Sequence, residues 1–558
     1  MLAGDFKSGF STIAAVTLII VSVLGFGTPA SAATAGSWTT PTVVSSGTSD
    51  IGDTQILSDS QGNLTALWVE NVGSIYVLKS ASQPSGGSWS SAVTISPSGK
   101  NVDSAKLVID DSGNLTAVWR TSENPHYTLQ SATKTPGGTW TAPVNITPVG
   151  QTISGTSLVV DGSGGITAVW SFFDGTGYQL LSATKPYGAS WSSPTNVSLS
   201  DSNVSLPELV VDSVGDVTAV WEQYNSTNYS IKTATRSFGG TWSAPQDLSA
   251  VGISSYSPQI AIDGSGKVTA LWTANSNSST VVQSSSRTLG GTWTALAVEA
   301  GLVSNFGLME LVSDSLGNLT VLGSDNSGLN TILRSSSKPV GGQWSSSVSL
   351  SDPAKRAEWA RMVIDQSGNV TAVWQWGPGF GAGQKVLQSA TRSSGGSWSS
   401  STNVSAESSQ TVYPSLWIGE SGQVLTAWRF VSNTTRQFQY STLSWQYLLS
   451  YEANNGSGTV PVTQSAAGGV STTVASASTL ARSGYAFAGW NTRADGSGTA
   501  YAAGTSISLT ADTTLYAQWT PALAATGSST DFNQAALGGA GMLLGIALLL
   551  TLRRRARR

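Results

Sequence analysis

Tryptophan recurs along most of this chain at an interval of 51 residues, and this repeat constrains the fold more than any other feature. A period of this length indicates stacked copies of one supersecondary unit. Two parallel series carry the repeat, and Gly323 stands where the sixth tryptophan of the second series belongs. The first series is Trp38, Trp89, Trp140, Trp191, Trp242, Trp293 and Trp344, with Trp398 following after 54 residues; the second is Trp68, Trp119, Trp170, Trp221, Trp272, Trp374 and Trp428.

Each copy contains four short runs of β-forming residues. In one copy these runs are residues 107–110, 114–120, 127–134 and 140–147, and Gly, Asn, Ser and Pro fill the connections between them. Such connections are typical of turns between antiparallel strands. Four strands per repeat predict the blade of a β-propeller, so we expect an all-β fold.

The turn between the first two strands of each copy begins with Asp and has Gly three residues later. Asp accepts hydrogen bonds from the local backbone, and Gly takes the positive φ that closes the hairpin. A calcium loop needs several carboxylates, and most of these turns supply one, so we expect no metal or other cofactor. The Asp residues are Asp59, Asp110, Asp161, Asp212, Asp263, Asp314 and Asp365.

The turn between the third and fourth strands reads TKTPGGTW at residues 133–140 and SRTLGGTW at residues 286–293. It resembles the Asp-box, S-x-D-x-G-x-T-W, of sialidase-type (BNR) propellers, with Thr or Ser in place of Asp. The resemblance implies a structural turn on the face opposite the catalytic one. We therefore expect the repeated tryptophans to pack blade against blade.

Strand order predicts how the ring closes. The first copy begins with a fourth strand, residues 38–44, and the last copy ends without a GG-x-W turn. An N-terminal strand that completes the last blade predicts eight blades within residues 36–445. In the alternative, Trp445 begins a fourth strand of its own.

Residues 447–520 differ from the repeats. They closely resemble the internalin B-type (Listeria/Bacteroides) repeat, a small β-grasp-like module of Gram-positive wall proteins, although Asn455 stands where that family usually has Gly. The resemblance implies a stalk module between the propeller and the C-terminus. The matching residues are Tyr451, Asn454, Asn455, Gly456, Gly484, Tyr485, Phe487, Gly489, Trp490, Asp495, Gly496, Leu515, Tyr516, Ala517 and Trp519.

The N-terminus has the pattern of a secretory signal peptide. Lys7 precedes an apolar run over residues 13–26, and the small residues Ala30 and Ala32 mark the cleavage site. We predict that residues 1–32 are removed after Ala32. An uncleaved membrane anchor is the alternative.

The C-terminus resembles the sorting signal of sortase-anchored Gram-positive proteins. A linker over residues 521–534 holds the motif Leu523, Ala524, Ala525, Thr526 and Gly527, an LAxTG variant of LPxTG. An apolar stretch long enough to approach the span of a bilayer follows at residues 535–552, and the basic tail 553–558 favours a cytoplasmic end. The resemblance implies that sortase joins Thr526 to peptidoglycan. A simple membrane anchor is the alternative.

Composition excludes several functions. The chain of 558 residues has no Cys, which excludes thiol catalysis and Cys-ligated metals. Removing both signals takes away six of the 27 basic and two of the 31 acidic residues, which leaves a net charge of −8. Because nucleic acid binding needs a basic surface, we expect no such partner.

The connections between the second and third strands differ strongly between copies, and they lie opposite the Asp-box turns. Variable loops on a repeat scaffold are free to carry function. The preceding loops add Tyr256, Phe306, Trp359 and Tyr413 to the same face. The candidate ligand face consists of Arg120, His126, Phe172, Phe173, Asp174, Glu222, Tyr224, Trp359, Trp376 and Arg429.

These residues do not form the three-Arg, Tyr–Glu and Asp set that a sialidase resemblance would require. We therefore expect no catalytic residues and a non-enzymatic surface binding or adhesion protein on a Gram-positive cell wall, with an extracellular ligand that could be a carbohydrate. One alternative is a divergent extracellular glycoside hydrolase or lyase using Asp174 and Glu222. Another is a passive structural component of the envelope.

Overall fold

The computed structural model describes residues 34–522 except 199–202, 277–278, 300–305, 366, 379–382, 409–412, 420–421, 433 and 469. Thirty-nine strands and no helix form this described part, in agreement with the all-β prediction. Because no helix occurs there, none of the described residues provides an apolar helix that could cross a membrane. The predicted signal peptide, sorting motif, C-terminal apolar stretch and basic tail lie outside the described residues.

Seven antiparallel four-stranded sheets, here called blades 1 to 7, follow one another along the chain. In each blade the strands lie side by side in chain order, as the short turns predict. Their bounds are Ile51–Ser58, Leu64–Val72, Ile75–Gln83 and Val93–Thr94 (blade 1); Val102–Ile109, Leu115–Ser122, Tyr127–Lys134 and Val144–Asn145 (blade 2); Thr152–Val160, Ile166–Phe173, Tyr178–Lys185 and Thr195–Asn196 (blade 3); Asn203–Val211, Val217–Tyr224, Tyr229–Arg236 and Gln246–Asp247 (blade 4); Ser255–Ile262, Val268–Ser276, Ser279–Arg287 and Ala297–Val298 (blade 5); Phe306–Ser313, Leu319–Asp325, Ile332–Lys338 and Val348–Ser349 (blade 6); and Arg356–Ile364, Val370–Gly377, Val386–Arg392 and Thr402–Asn403 (blade 7).

A nine-stranded curled sheet, here called the closing sheet, fills the remaining place in the ring. The strand Ser415–Ile418 of this sheet contacts the first strand of blade 7 and the first strand of blade 1, so the ring is closed. The first strand of each blade is here called its inner strand. The N-terminal strand Thr42–Gly47 pairs antiparallel with residues 436–440 of this sheet. The strands of the closing sheet are Thr34–Ala35, Thr42–Gly47, Ser415–Ile418, Gln423–Val431, Arg436–Glu452, Gln464–Ala467, Tyr485–Asn491, Ala500–Tyr501 and Thr513–Pro521.

The prediction of eight blades is wrong in its count, because the structure has seven blades and the closing sheet, although the N-terminal strand pairs with the last repeat as predicted. The strand Arg436–Glu452 runs for 17 residues without interruption through Trp445 and into the C-terminal module. Its first part pairs with the propeller strand Gln423–Val431, and its last part pairs in parallel with Thr513–Pro521. One ladder of hydrogen bonds therefore joins the last propeller unit to the module. The module adds a two-stranded sheet, Ser471–Thr473 with Ser506–Ser508.

The two tryptophan series have different environments. Every tryptophan of the second series is 0% exposed and is buried among the packed blades. The first series is half-buried, except for the buried Trp344. Burial of a large aromatic side chain contributes roughly 3 kcal/mol, so the second series supplies a large part of the apolar core.

The Asp turns all close one face of the ring, here called the Asp-turn face. In blade 2, Asp110 Oδ1 accepts hydrogen bonds from the backbone of Ser112 at 3.0 Å and of Asn114 at 2.9 Å. Gly113 takes φ 80°, a conformation that favours glycine, and donates to the Asp110 carbonyl at 2.8 Å. The opposite face, which holds the connections from second to third strands, is here called the rim face.

The C-terminal module is docked on the Asp-turn face. The Tyr447 hydroxyl donates a buried hydrogen bond of 2.8 Å to Asp365, the turn residue of blade 7. Nearby, the Ser367 hydroxyl donates to the Thr510 carbonyl at 3.3 Å. Because the long strand and these contacts act together, the module extends from the propeller on the side opposite the rim face.

Candidate functional site

The predicted ligand-face residues all lie at the rim end of their blades, but they form several separate groups. Blade 2 carries Arg120 and His126, blade 3 carries Phe172 to Asp174, and blade 4 carries Glu222 and Tyr224. Trp359 and Trp376 belong to blade 7, and Arg429 belongs to the closing sheet. The side chain of Phe306 lies outside the described residues.

Asp174 serves its own turn. Its Oδ1 accepts hydrogen bonds from the Thr176 hydroxyl at 2.7 Å and from the backbone N–H groups of Thr176 and Gly177 at 2.8 and 3.0 Å. Gln179 donates to the other oxygen. These donors, the Thr176 hydroxyl first, lower the pKa of Asp174 to about 2, so this carboxyl is poorly suited to act as a general acid.

Glu222 is only 7% exposed and also supports the backbone. Its Oε1 accepts a hydrogen bond of 2.6 Å from the N–H of Ser257, which lies at a β-bulge in the first strand of the neighbouring blade 5. The structure thus gives Asp174 and Glu222 separate local partners. It does not bring them together around a shared substrate position.

Arg120 and His126 both lie on blade 2, and each has its own polar partners. The Arg120 guanidinium donates to Asp103 at 2.7 Å and to the Ile153 carbonyl at 2.6 Å, and it lies 4.6 Å from the ring centre of Tyr127. The exposed His126 has its Nδ1 3.3 Å from the Thr152 hydroxyl. Arg120 therefore links blade 2 to blade 3.

The aromatic residues of blades 3 and 4 pack against neighbouring rings. Phe172 packs on the core between blades 2 and 3, and Phe173 lies 5.2 Å from Tyr178 between ring centres. In blade 4, Tyr229 lies between two other rings, 4.8 Å from Tyr224 and 5.1 Å from Tyr256. These half-buried rings form a tyrosine cluster across the blade 4–blade 5 junction.

A second aromatic group, here called the rim cluster, consists of Trp359, Tyr413 and Arg429. The rings of Trp359 and Tyr413 meet edge to face at 4.8 Å, and the Arg429 guanidinium lies 5.5 Å from the Tyr413 ring centre. Asp50 holds Arg429 at 3.0 Å. The rim cluster thus spans blade 7, the closing sheet and the approach to blade 1, while 47% of Tyr413 stays exposed.

The backbone of the rim cluster is strained. Trp359 has φ 55° and Tyr413 has φ 40°, in the left-handed region that large side chains rarely adopt. Both occupy the repeat position at which Asp53, Ser104 and Ser257 also have positive φ. A β-bulge between Glu358 and Arg361 accommodates this position in blade 7. Strain of this kind costs of order 1–3 kcal/mol and is concentrated at functional sites.

Trp376 lies near the rim cluster in blade 7. Its indole N–H donates to the Asp352 carbonyl at 3.2 Å, and the Lys355 ammonium lies 4.3 Å from its ring centre. This cation–π contact presents a positive charge beside an aromatic face.

Sequence reasoning missed a ring of polar side chains on the inner strands. The signal was present, because these residues occupy one repeat position at intervals of 51 residues, with a final interval of 54. Their chemistry differs from copy to copy, which concealed the pattern. The ring consists of Gln55, Lys106, Ser157, Glu208, Gln259, Glu310, Arg361 and Ser415.

Three members of this ring, Lys106, Glu208 and Glu310, have displaced pKa values. Burial lowers the pKa of Lys106 to about 8, and burial raises the pKa of Glu310 to about 7. Glu208 has a pKa raised to about 8, first by burial and then by the charge of Glu310. Arg361 lies 3.5 Å from Glu310, and its charge opposes part of the rise in the pKa of Glu310. No group of three or more metal-ligating side chains occurs among the residues that the structure describes.

Residues 447–518 match the family of the Listeria-Bacteroides repeat domain, as the resemblance of this segment predicts. A curated relative, described as a membrane protein of Evansella cellulosilytica, is 37% identical over 98 residues. That match covers 17% of this chain and only 15% of the relative, so most of the relative's length has no counterpart in it.

Solved structures with a distant likeness include three carbohydrate-active proteins. Polysaccharide lyase Uly1 has a TM-score of 0.42 at 8% identity, over 63% of this chain and 90% of the lyase. The Hadza microbial sialidase Hz136 has a TM-score of 0.33 at 14% identity, over 67% and 76% of the two chains. The α-L-arabinanase of Penicillium chrysogenum has a TM-score of 0.33 at 12% identity, over 49% and 88%. Values this low do not assign an activity to this chain.

Proposed function

We propose that this protein is a non-enzymatic binding protein of the Gram-positive cell surface, and that its rim cluster binds a saccharide. The observation that carries the proposal is the strained aromatic pair Trp359–Tyr413, half-open to solvent and flanked by Arg429. Ser104 and Ser257 adopt the same positive φ at this repeat position in other blades, so folding alone does not require two large rings there.

The chemistry of the rim cluster suits a sugar. Aromatic rings present apolar faces on which the C–H groups of a sugar can stack, and nearby polar groups fix its orientation. Arg429 and its partner Asp50 supply a donor and an acceptor at the edge of the rings. Trp376 with Lys355 adds a second aromatic surface in the same blade.

The direction of the module supports surface display. Trp359 lies near the rim end of the strand Arg356–Ile364, and Asp365, which binds the module, follows the other end. The sorting motif begins at Leu523, directly after the last strand of the module, Thr513–Pro521. If Thr526 is joined to peptidoglycan by sortase, the rim cluster faces away from the cell wall.

The domain division and the location belong to the same proposal. Residues 1–32 act as the signal peptide, residues 447–520 as the stalk, and residues 521–558 as the sorting signal with its linker, apolar stretch and basic tail. Muramidase digestion of whole cells tests the anchoring. Wall attachment predicts release by muramidase, whereas release by detergent alone would indicate a simple membrane anchor.

The binding proposal is tested on an array of glycans and wall polymers with the full chain purified in detergent. We expect a defined saccharide class to be retained by the wild-type protein and lost with Trp359→Ala. Trp140→Ala, a half-buried tryptophan on the Asp-turn side, is the matched control. Absence of any retained saccharide or wall polymer would contradict the proposal. Turnover of fluorogenic glycosides that disappears with Glu222→Gln would favour the hydrolase or lyase alternative instead.

A further inference from the structure

A cavity of about 50 Å³ lies in the central channel of the propeller. Its walls come from the inner strands of blades 1, 2, 3 and 7 and from the strand Ser415–Ile418 of the closing sheet, so it lies at the centre of the ring. Such a volume has room for a small group of a few atoms. It is separate from the rim cluster, whose aromatic residues do not line it.

Five buried polar atoms of the cavity walls have no hydrogen-bond partner among the residues that the structure describes. Three of them can only donate: the ammonium of Lys106, the Nε–H of Arg361 and the indole N–H of Trp417. The other two are the hydroxyls of Thr156 and Ser157, which can also donate. Buried arginine and indole nitrogens without acceptors recur elsewhere in the described part of the chain, whereas Lys106 carries the one buried lysine ammonium there without an acceptor.

The charge at these walls is positive. Lys106, 8% exposed, and Arg361 both line the cavity, and among its described lining residues there is no carboxylate. Lys106 makes no ion pair with any described carboxylate, although Asp53 and Glu208 influence it electrostatically. Arg361 lies 3.5 Å from Glu310, which is not part of the wall. A buried ammonium without a counter-ion is strongly unfavourable.

We propose that this cavity binds one small monovalent anion of halide size, held by Lys106, Arg361 and the surrounding donors. An anion can accept hydrogen bonds from several of these donors and supplies one negative charge beside Lys106 and Arg361, whereas water molecules bring no charge. The lowered pKa of Lys106, caused first by burial, is the behaviour of a cation that lacks such a partner.

Thermal unfolding of the full chain in detergent tests the proposal, with sodium bromide replacing sodium gluconate at constant ionic strength. A ligand that binds only the folded state raises the melting temperature with its concentration. We expect the wild-type protein to show this bromide-dependent rise, and Lys106→Met to weaken the apparent affinity by about tenfold or more. Lys267→Met, which removes one positive charge at an exposed position, is the matched control and should keep the wild-type response.

Bromide anomalous diffraction from wild-type crystals gives a second readout that does not depend on how the variants fold. We expect an anomalous peak between Lys106 and Arg361. A cavity that contains only water, or a melting temperature that responds to bromide equally in the wild type and in Lys106→Met, would overturn the proposal. Neither result would affect saccharide binding at the rim cluster.

Discussion

The interfaces between blades and the central channel use the repeat in opposite ways. At the interfaces, one position holds the same residue in seven units, and all seven tryptophans are 0% exposed. In the channel, one position holds five different residue types in eight units, from Gln55 to Ser415. Uniform positions maintain the ring by burial, whereas the varied position places unlike charges in a buried space where they do not help folding. The contrast indicates that departures from the repeat are where function should be sought.

The largest expected effect tests the role of the repeated tryptophans at the interfaces between blades. Trp119→Ala removes a fully buried indole, so we expect it to lower the free energy of unfolding by about 3–5 kcal/mol. Trp140→Ala, at a half-buried position of the same copy, should lower it by roughly half as much. Denaturant unfolding of both variants measures the difference. Equal losses would show that the two series do not have distinct roles in the ring.

The next effect tests the channel through its pH dependence. The pKa of Glu310 is raised from 4.5 to about 7, so between these pH values the folded state holds a proton that the unfolded state has lost. Stability therefore falls as pH rises through this window. Glu310→Gln removes the effect, so we expect the variant to gain about 3 kcal/mol relative to the wild type between pH 4.5 and pH 8.

A second buried glutamate provides the control for that experiment. Glu299 is also 7% exposed, but its ion pair with Lys338 is shorter, at 3.0 Å, than the 3.5 Å pair of Glu310 with Arg361. Glu299→Gln should therefore destabilise the protein at pH 8, because it weakens a buried pair. If both substitutions destabilise equally at pH 8, the channel acids are not held at raised pKa values.

A smaller effect sharpens the comparison at the rim. Glycine normally destabilises a strand relative to alanine, but residue 359 has φ 55°, which glycine adopts freely. We expect Trp359→Gly to be more stable than Trp359→Ala by about 1 kcal/mol in denaturant unfolding. The usual order, with alanine more stable, would contradict the strain assigned to the rim cluster.

The smallest effect concerns the ion pair of the rim cluster. Asp50 has 43% of its side chain exposed, so the Arg429–Asp50 pair should contribute less than about 1 kcal/mol to folding. A double-mutant cycle with Arg429→Gln and Asp50→Asn measures this coupling. A much larger coupling energy would indicate that the pair holds the ring together, and would weaken its assignment to ligand binding.

The repeat predicts much of this fold because each copy contains the residues that determine its own turns and packing. Trp119 marks an interface and Asp110 begins a turn, and both do so in the structure through burial and backbone hydrogen bonds. The eight-blade count failed because no turn signal interrupts the strand Arg436–Glu452, whose alternating burial continues across the expected boundary. Hydrogen bonding across such a boundary depends on how two units dock.

The candidate site was less predictable for a similar reason. Asp174 and Glu222 occupy equivalent loop regions in the sequence, yet one caps an exposed turn and the other is buried against Ser257. Trp359 and Tyr413 lie 54 residues apart in consecutive units. Their rings come into contact only because the ring of blades places these units side by side. The pairing of Lys106 with Arg361 around one cavity requires the closed ring in the same way.

The most direct test of the rim as a binding site is a titration of the full chain with the saccharide that the array identifies. The affinity should fall by about tenfold or more in Trp359→Ala, because a stacking ring is lost. Trp140→Ala, which lies away from the rim, should bind within about twofold of the wild type. Equal affinity of the wild type and Trp359→Ala would contradict the assignment of the ligand site to the rim cluster.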